Sequence, residues 1–187
     1  PEIPHIAKIL AIPDQGSVSV EVLETSPVQI IKGINVPPAR ESWLEGKPES
    51  PYVENIQAYN SKNVYPGNFA KVEDPAVFRD FRIARVSIFP IRYSPSKKEI
   101  QAVSSITIKI NYLPGPSINP KTTPIKPIAP SFDKIYRSSI FNYEEVLQRR
   151  FAGMVTGYDF MLCILPDEFA TSFQVYADWK HKTGTYI

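Results

Sequence analysis

A single cysteine, two histidines and eight glycines leave this chain of 187 residues little material for several kinds of chemistry. One thiol, Cys163, cannot form an internal disulfide, so the fold depends on packing alone, whatever compartment it occupies. His5 and His181 are too few and too far apart for a metal site, which gathers three or four clustered ligands, and no cofactor is expected. No glycine-rich phosphate loop and no nucleophile elbow occur. Basic and acidic residues nearly cancel, 21 against 19 for a net charge of +2, and only Lys97-Lys98 and Arg149-Arg150 are adjacent basic pairs. Nucleic acid is therefore not an expected partner. No apolar run approaches the roughly 20 residues of a membrane helix, so no membrane segment is expected. Neither an initiating methionine nor a charged-then-apolar leader stands at Pro1, and a strand pattern is just beginning at Ile187; the chain is expected to be an excised segment.

What is present in abundance is proline, with 19 residues, about twice average usage. Proline at that density interrupts helices and confines strands to edges and ends, so many short strands with proline-rich connections are expected. The dominant stretch is residues 81–112. Its second arm places Ile100, Ala102, Ile106, Ile108, Ile110 and Tyr112 on one side and Gln101, Ser105, Thr107, Lys109 and Asn111 on the other. Period two marks a half-buried strand. In the first arm the apolar phase slips from Phe81 and Ile83 to Val86 and Ile88, which predicts a bulge near Ala84 and Arg85. Ser94, Pro95, Ser96 and two lysines form the connection, and the whole reads as one long antiparallel hairpin.

The flanks fit a β-rich domain. Residues 6–12, the turn Pro13-Asp14-Gln15-Gly16 and the alternating Val18, Val20 and Val22 predict a second hairpin. A strand-like run at 28–36 is interrupted at Gly33, and residues 39–74 show neither period. Prolines 114, 116, 120, 124, 127 and 130 then make a strap that cannot add to a sheet. Beyond it the period changes. Phe132, Ile135, Tyr136 and Ile140 predict a short helix with Ser131 as its N-cap. Residues 160–165 read as a fully buried strand, and Phe169, Phe173, Tyr176 and Ala177 predict a helix ended by Gly184. The expected fold is mainly β: an antiparallel sandwich-like domain followed by the opening βα unit of an α/β domain. The expected division is 1–113 for the β-rich domain, 114–150 for strap and short helix, and 151–187 for the start of the α/β region, with the boundary near Gly153 and Gly157.

Cys163 is the one possible thiol nucleophile, but in the middle of FMLCIL a buried, inert thiol is the plainer reading. Asp167-Glu168 at a helix start are accounted for by capping and the helix dipole. No catalytic constellation assembles, so the chain by itself is not expected to be an enzyme. Arg149-Arg150, between two regions of different architecture, is the kind of extended accessible pair that proteases cut. Lys62 and Lys71 flank Tyr65-Pro66-Gly67, where solvation alone accounts for them.

The run FRDFRIARVSIFPIRYSPSKKEI through ITIKINY, with its R-D-x-R element, resembles the propeptide of gingipain-type cysteine peptidases. IPHIAKILAIPDQGSVSVEVLE and Tyr65-Pro66-Gly67 look like the same propeptide, while FDKIYRSSIFNYEE and then YDFMLCILPDEFATSFQVYADWKHKTG look like its passage into a catalytic region. The resemblance implies a zymogen of a secreted bacterial endopeptidase with a Cys-His dyad in a caspase-like α/β domain. The propeptide would assist folding and occlude the active site until removed, through an interface of roughly 1,600 Å². Neither member of the dyad falls on a residue of this chain. The partner would be the chain's own catalytic domain beyond Ile187. If the specificity is for Arg or Lys, Lys71 or Lys62 becomes the inhibitory residue and Arg149 or Arg150 the processing site. Two rival readings are an adhesion or substrate-binding sandwich module ahead of an α/β domain, and a thiol hydrolase using Cys163 and His181.

Overall fold

A computed structural model describes residues 1–40, 45–46, 48–124, 126–150 and 159–187. The boundary expected around Gly153 and Gly157 lies outside the described residues. Strand β6 (Phe81–Ile88) is the axis of the fold. Strand β1 (Ile6–Ile12) pairs with it antiparallel along its whole length, from Ile6 opposite Ile88 to Ile12 opposite Arg82. Its other edge is shared by β4 (Ala70–Val72) and β5 (Ala76–Phe78). Phe81, Arg82, Ala84, Val86 and Ser87 are all buried, because β6 is covered on both faces. That removes the alternation of a half-buried strand, and it is the reason the apolar phase slips. The bulge expected near Ala84 and Arg85 is absent from the β1–β6 register. A register shift occurs instead between Val22 and Glu24 of β2 (Ser17–Thr25), opposite β9 (Ile106–Leu113).

The long hairpin does not form as expected. Its tip does: β7 (Ile91–Ser94) and β8 (Glu99–Ala102) pair antiparallel around the Pro95–Lys98 turn, in which Lys98 takes φ 53° and donates its N–H to the Pro95 carbonyl. The arms then diverge, β6 toward β1 and β9 toward β2. Pro90, which lacks an N–H, sits at the break after β6, and the chain leaves the ladder there. Strand β3 (Gln29–Lys32) completes the small sheet on the far edge of β8. The second expected hairpin is likewise divided. Strands β1 and β2 occupy the expected residues, yet each pairs elsewhere, so Pro13–Gly16 is a corner between sheets.

Among the described residues, 39–74 carry α1 (Ile56–Tyr59), capped by the Asn55 side chain, an isolated bridge from Tyr65 to Tyr93, and β4. After the strap come α2 (Pro130–Ser139) and α3 (Tyr143–Arg150). Helix α2 begins with proline at its first position behind Ala129, and Ser131 is not the cap: its hydroxyl bonds the Asp159 carboxylate at 2.7 Å. The two helices lie on one face of the β1–β6 sheet. Ala11, Phe81, Ile128, Tyr136, Ile140, Tyr143 and Val146 form the main core there, so it is a helix-on-sheet core to which the strap contributes Ile128. The β2–β9 ribbon lies toward the opposite face, where Val18, Val72 and Arg82 line one hollow.

The C-terminal segment has the expected order. Strand β10 (Asp159–Phe160) runs parallel to β11 (Thr185–Tyr186), joined through a 3-10 turn at Asp167–Phe169 and helix α4 (Ala170–Lys182), and Gly184 follows α4 at φ 88°. Burial is where the expectation fails. Leu162 and Ile164 are 87% and 91% exposed, and Cys163 is half-buried rather than buried. Only β11 pairs with β10 among the described residues, and one helix cannot cover both faces of a strand.

Candidate latency and processing site

The R-D-x-R element is a β-hairpin turn with four separate tasks. Phe78 opposes Phe81, so Arg79 and Asp80 are the two residues between β5 and β6. Arg79 takes φ 48°, unusual for a side chain larger than glycine, and its guanidinium lies 3.5 Å from the centre of the Phe132 ring. Asp80 accepts the Tyr136 hydroxyl at 2.7 Å. Phe81 is fully buried, edge-on to Tyr136 with ring centroids 4.8 Å apart. These three residues dock α2 onto the sheet.

Arg82, only 1% exposed, reaches the other way. Its Nε donates to the Asn119 carbonyl at 3.1 Å, Nη1 to Pro13 at 2.9 Å, and Nη2 to Gly16 at 2.9 Å and Ile118 at 2.7 Å. The planar guanidinium suits this fan of carbonyls, which a lysine ammonium could not span. The strap is thereby fastened to the β1–β2 corner, with Asn119 Nδ2 donating to the Pro75 carbonyl at 2.8 Å and the Lys121 N–H to the Asp14 carbonyl at 2.9 Å.

Asn142, between α2 and α3, closes the outer edge of β1. Its Oδ1 accepts the Ala11 N–H at 2.8 Å and its Nδ2 donates to the Ala11 carbonyl at 2.9 Å, while the Phe141 N–H donates to Ile9 at 2.8 Å. A side-chain amide thus imitates one rung of a ladder on an otherwise open edge. Burial, followed by the bonds to Asp80 and Asp133 respectively, pushes the Tyr136 and Tyr143 hydroxyls well above the usual tyrosine range.

The candidate residues fall in distinct settings. Arg149 and Arg150 end α3. Arg149 is 66% exposed and pairs with Glu145 one turn back, whereas Arg150, 27% exposed, pairs with Asp14 of the corner. A hollow of about 330 Å³ lined by Ile12, Tyr112, Val146 and both arginines opens beside them. Lys71 lies in β4 opposite Ser87, its side chain exposed. Lys62 lies in the exposed segment after α1. The loop between them contains the cis Tyr65-Pro66 peptide. Neither lysine is brought near the arginine pair by a shared element. The His181 ring lies tilted against Tyr186 and its Nε2 accepts the Ile187 N–H at 3.3 Å; among the described residues no hydrogen bond or ring contact joins it to Cys163. His5 lies beside Arg85 and Phe89. Among the described residues no group of three or more His, Cys, Asp and Glu could hold a metal ion, and no helix is long and apolar enough to cross a membrane.

Sequence reasoning missed Arg82, Asp14 and Asn142. Phe81-Arg82-Ile83 was a signal for Arg82, since an arginine flanked by apolar residues in a strand needs partners there.

Known proteins place this architecture. Gingipain R2 of Porphyromonas gingivalis (strain ATCC BAA-308 / W83) is 25% identical over 186 residues, covering 98% of this chain and 25% of the relative. Lys-gingipain of P. gingivalis (strain ATCC 33277) is 22% identical over 195 residues, covering the whole chain and 11% of the relative. The chain thus spans a quarter or less of the length of these relatives. Among solved structures, the complex of P. gingivalis RgpB pro- and mature domains matches with a TM-score of 0.66 at 25% identity, over 76% of this chain and 71% of that one. A structure concerning the zymogenic latency of gingipain K shares the fold, with a TM-score of 0.51 at 23% identity over 62% of this chain and 66% of that one. The family model Propeptide_C25 matches residues 1–151, the span that carries the antiparallel sheets, the strap and the helices α2 and α3. The chain belongs to the Propeptide_C25 family, the propeptides of gingipain-type cysteine peptidases.

Proposed function

We propose that residues 1–150 are the latency domain of a secreted bacterial gingipain-like cysteine endopeptidase, and that residues 151–187 begin its catalytic region. The observation that carries this reading is a coincidence of limits. The propeptide match ends at residue 151, one residue past α3 (Tyr143–Arg150), and the parallel β10–α4–β11 unit begins at Asp159. Among the described residues the main core draws on residues 9–147, which supports a domain that packs without residues 159–187. The partner is the chain's own catalytic region, a pairing supported by the solved RgpB neighbour, a complex of pro- and mature domains. Latency is steric, and this chain contributes no catalytic residue.

Of the two lysines, Lys62 is the better inhibitory residue. A protease cleft takes its ligand as an extended strand through free main-chain groups. Lys71 has its main chain committed to the β4–β6 ladder, flanked by the bonds Phe89 N–H to Phe69 and Glu73 N–H to Arg85. Lys62 has no hydrogen bond to the fold among the described residues. Release follows cutting at Arg149 or Arg150.

Residues 1–150, purified and added to the cognate mature protease, should inhibit it at micromolar concentration, and secreted mature material should begin within residues 150–158. Absence of inhibition together with a retained N-terminal domain would overturn this reading.

A further inference from the structure

We infer that the Asp14–Arg150 ion pair is a latch that holds the last turn of α3 helical and shields the Arg149–Arg150 bond from proteolysis while the propeptide is intact; this rests on the reading of that pair as the processing site. A protease binds the residues around a scissile bond in extended form, so a bond inside a helical turn is cut only after the turn unwinds. Helix ends fray readily unless something ties them down.

Arg149 does not tie it down. Its side chain is 66% exposed and its partner Glu145 is 65% exposed, an i,i+4 pair on the surface that resists opening little. Arg150 is different, because its guanidinium donates to the Asp14 carboxylate and the two side chains are 27% and 26% exposed. The acceptor is itself fixed. The Asp14 carbonyl accepts from Lys121, the Pro13 and Gly16 carbonyls accept from Arg82, and the Gly16 N–H donates to the Ser117 hydroxyl at 2.6 Å. Drawing residues 147–150 into extended form pulls the guanidinium off Asp14, whose buried Oδ1 has no hydrogen-bond partner among the described residues. Opening the bond therefore costs a half-buried charge pair, and the corner and strap that hold Asp14 set that cost. Disturbing the strap at Arg82 releases the bond; an intact propeptide protects it.

The test digests the chain of 187 residues with limiting trypsin and tracks the products by mass spectrometry. Cutting after Arg149 is read against cutting after Lys98, in the exposed β7–β8 turn, as the internal reference. Asp14→Asn preserves the shape and backbone bonds of the corner while removing the charge. The rate after Arg149 should rise about tenfold and the rate after Lys98 should stay within twofold, since cutting tracks the population of the locally open form. Glu145→Gln, which breaks only the surface pair, should change neither rate by more than about twofold. An unchanged rate after Arg149 in Asp14→Asn, or an equal rise at both sites, overturns the latch. Should circular dichroism show Asp14→Asn unfolded, Arg150→Gln removes the pair from the other side and leaves Arg149 cleavable; the same rise is expected and its absence is equally decisive. Because trypsin is the probe, the outcome is independent of where the parent protein is processed. Failure of the processing reading would show instead as residues 1–150 remaining attached in secreted material.

Discussion

The Arg82 guanidinium and the Gly16 carbonyl oxygen meet at 2.9 Å across 66 residues of chain, and that bond joins the central strand to the corner where the first two strands part. The same side chain holds the strap through Ile118 and Asn119. One buried cation, compensated by backbone dipoles, thereby fixes the central strand, the corner and the strap to one another.

Arg82→Met should lower stability by about 3 kcal/mol, because it leaves four carbonyls, the buried Gly16 carbonyl among them, without their donor. Arg82→Lys should recover less than half of that loss, since an ammonium cannot reach all three segments. Urea denaturation monitored by circular dichroism measures both, and hydrogen exchange should show the Lys121 amide losing protection in each variant.

Glycine matters at the corner for two reasons that a pair of variants separates. Gly16 has φ 87°, and a Cβ there would lie 2.4 Å from the Leu113 carbonyl oxygen. Gly33 has φ 75° with nothing within 4 Å. Gly33→Ala should cost about 1 kcal/mol from backbone strain alone, and Gly16→Ala distinctly more, about 3 kcal/mol, because backbone must also move. Equal urea midpoints for the two variants would contradict the close approach at Gly16.

The helix-docking tyrosines give a pH signature at both ends. Tyr136 and Tyr143 are raised, first by burial and then by their bonds to Asp80 and Asp133. A raised folded value means their stabilisation is complete below the ordinary tyrosine range near 10 and is lost as pH climbs above it. Absorbance titration should show two of the ten tyrosines ionising only as the protein unfolds. Asp133 is lowered, chiefly by its bond from Arg137 and further by the Tyr143 hydroxyl. Its stabilisation is present above the ordinary aspartate value near 4 and is lost as pH falls through the folded value. The stability gap between the parent and Asp133→Asn should therefore close on acidification below about pH 4.

Inhibition should respond to one lysine and not the other. Lys62→Ala should weaken inhibition of the mature protease about 30-fold, the loss of one anchoring side chain of about 2 kcal/mol, while Lys71→Ala should change it less than threefold. Inhibition constants for the two variants check this directly, and the reverse order would assign the contact to β4.

Local signals were legible wherever neighbours in sequence are neighbours in space. The β7–β8 turn, the alternating valines of β2, the strap and the Gly184 stop of α4 all lie where residue patterns place them. Helix α3 escaped because Tyr143 and Val146 show too short a period beside two glutamates and two arginines. The expected burial of residues 160–165 failed because an apolar run reports a tendency to be covered, whereas covering depends on which elements lie alongside.

The sequence by itself determined β1, β2, β9, α2, α4 and the family, since propensity, turn chemistry and motif order are written locally. Tertiary structure alone decided which strand pairs with which, because β6 and β9 carry equally good strand patterns and only packing distinguishes β1 from β2 as a partner. It also decided what the arginines do. Arg79, Arg82, Arg149 and Arg150 are the same residue type in sequence, yet one stacks on a ring, one is buried among carbonyls, one is solvated and one is tied to Asp14. The partners that set those roles stand far away along the chain, and only folding brings them within hydrogen-bond reach.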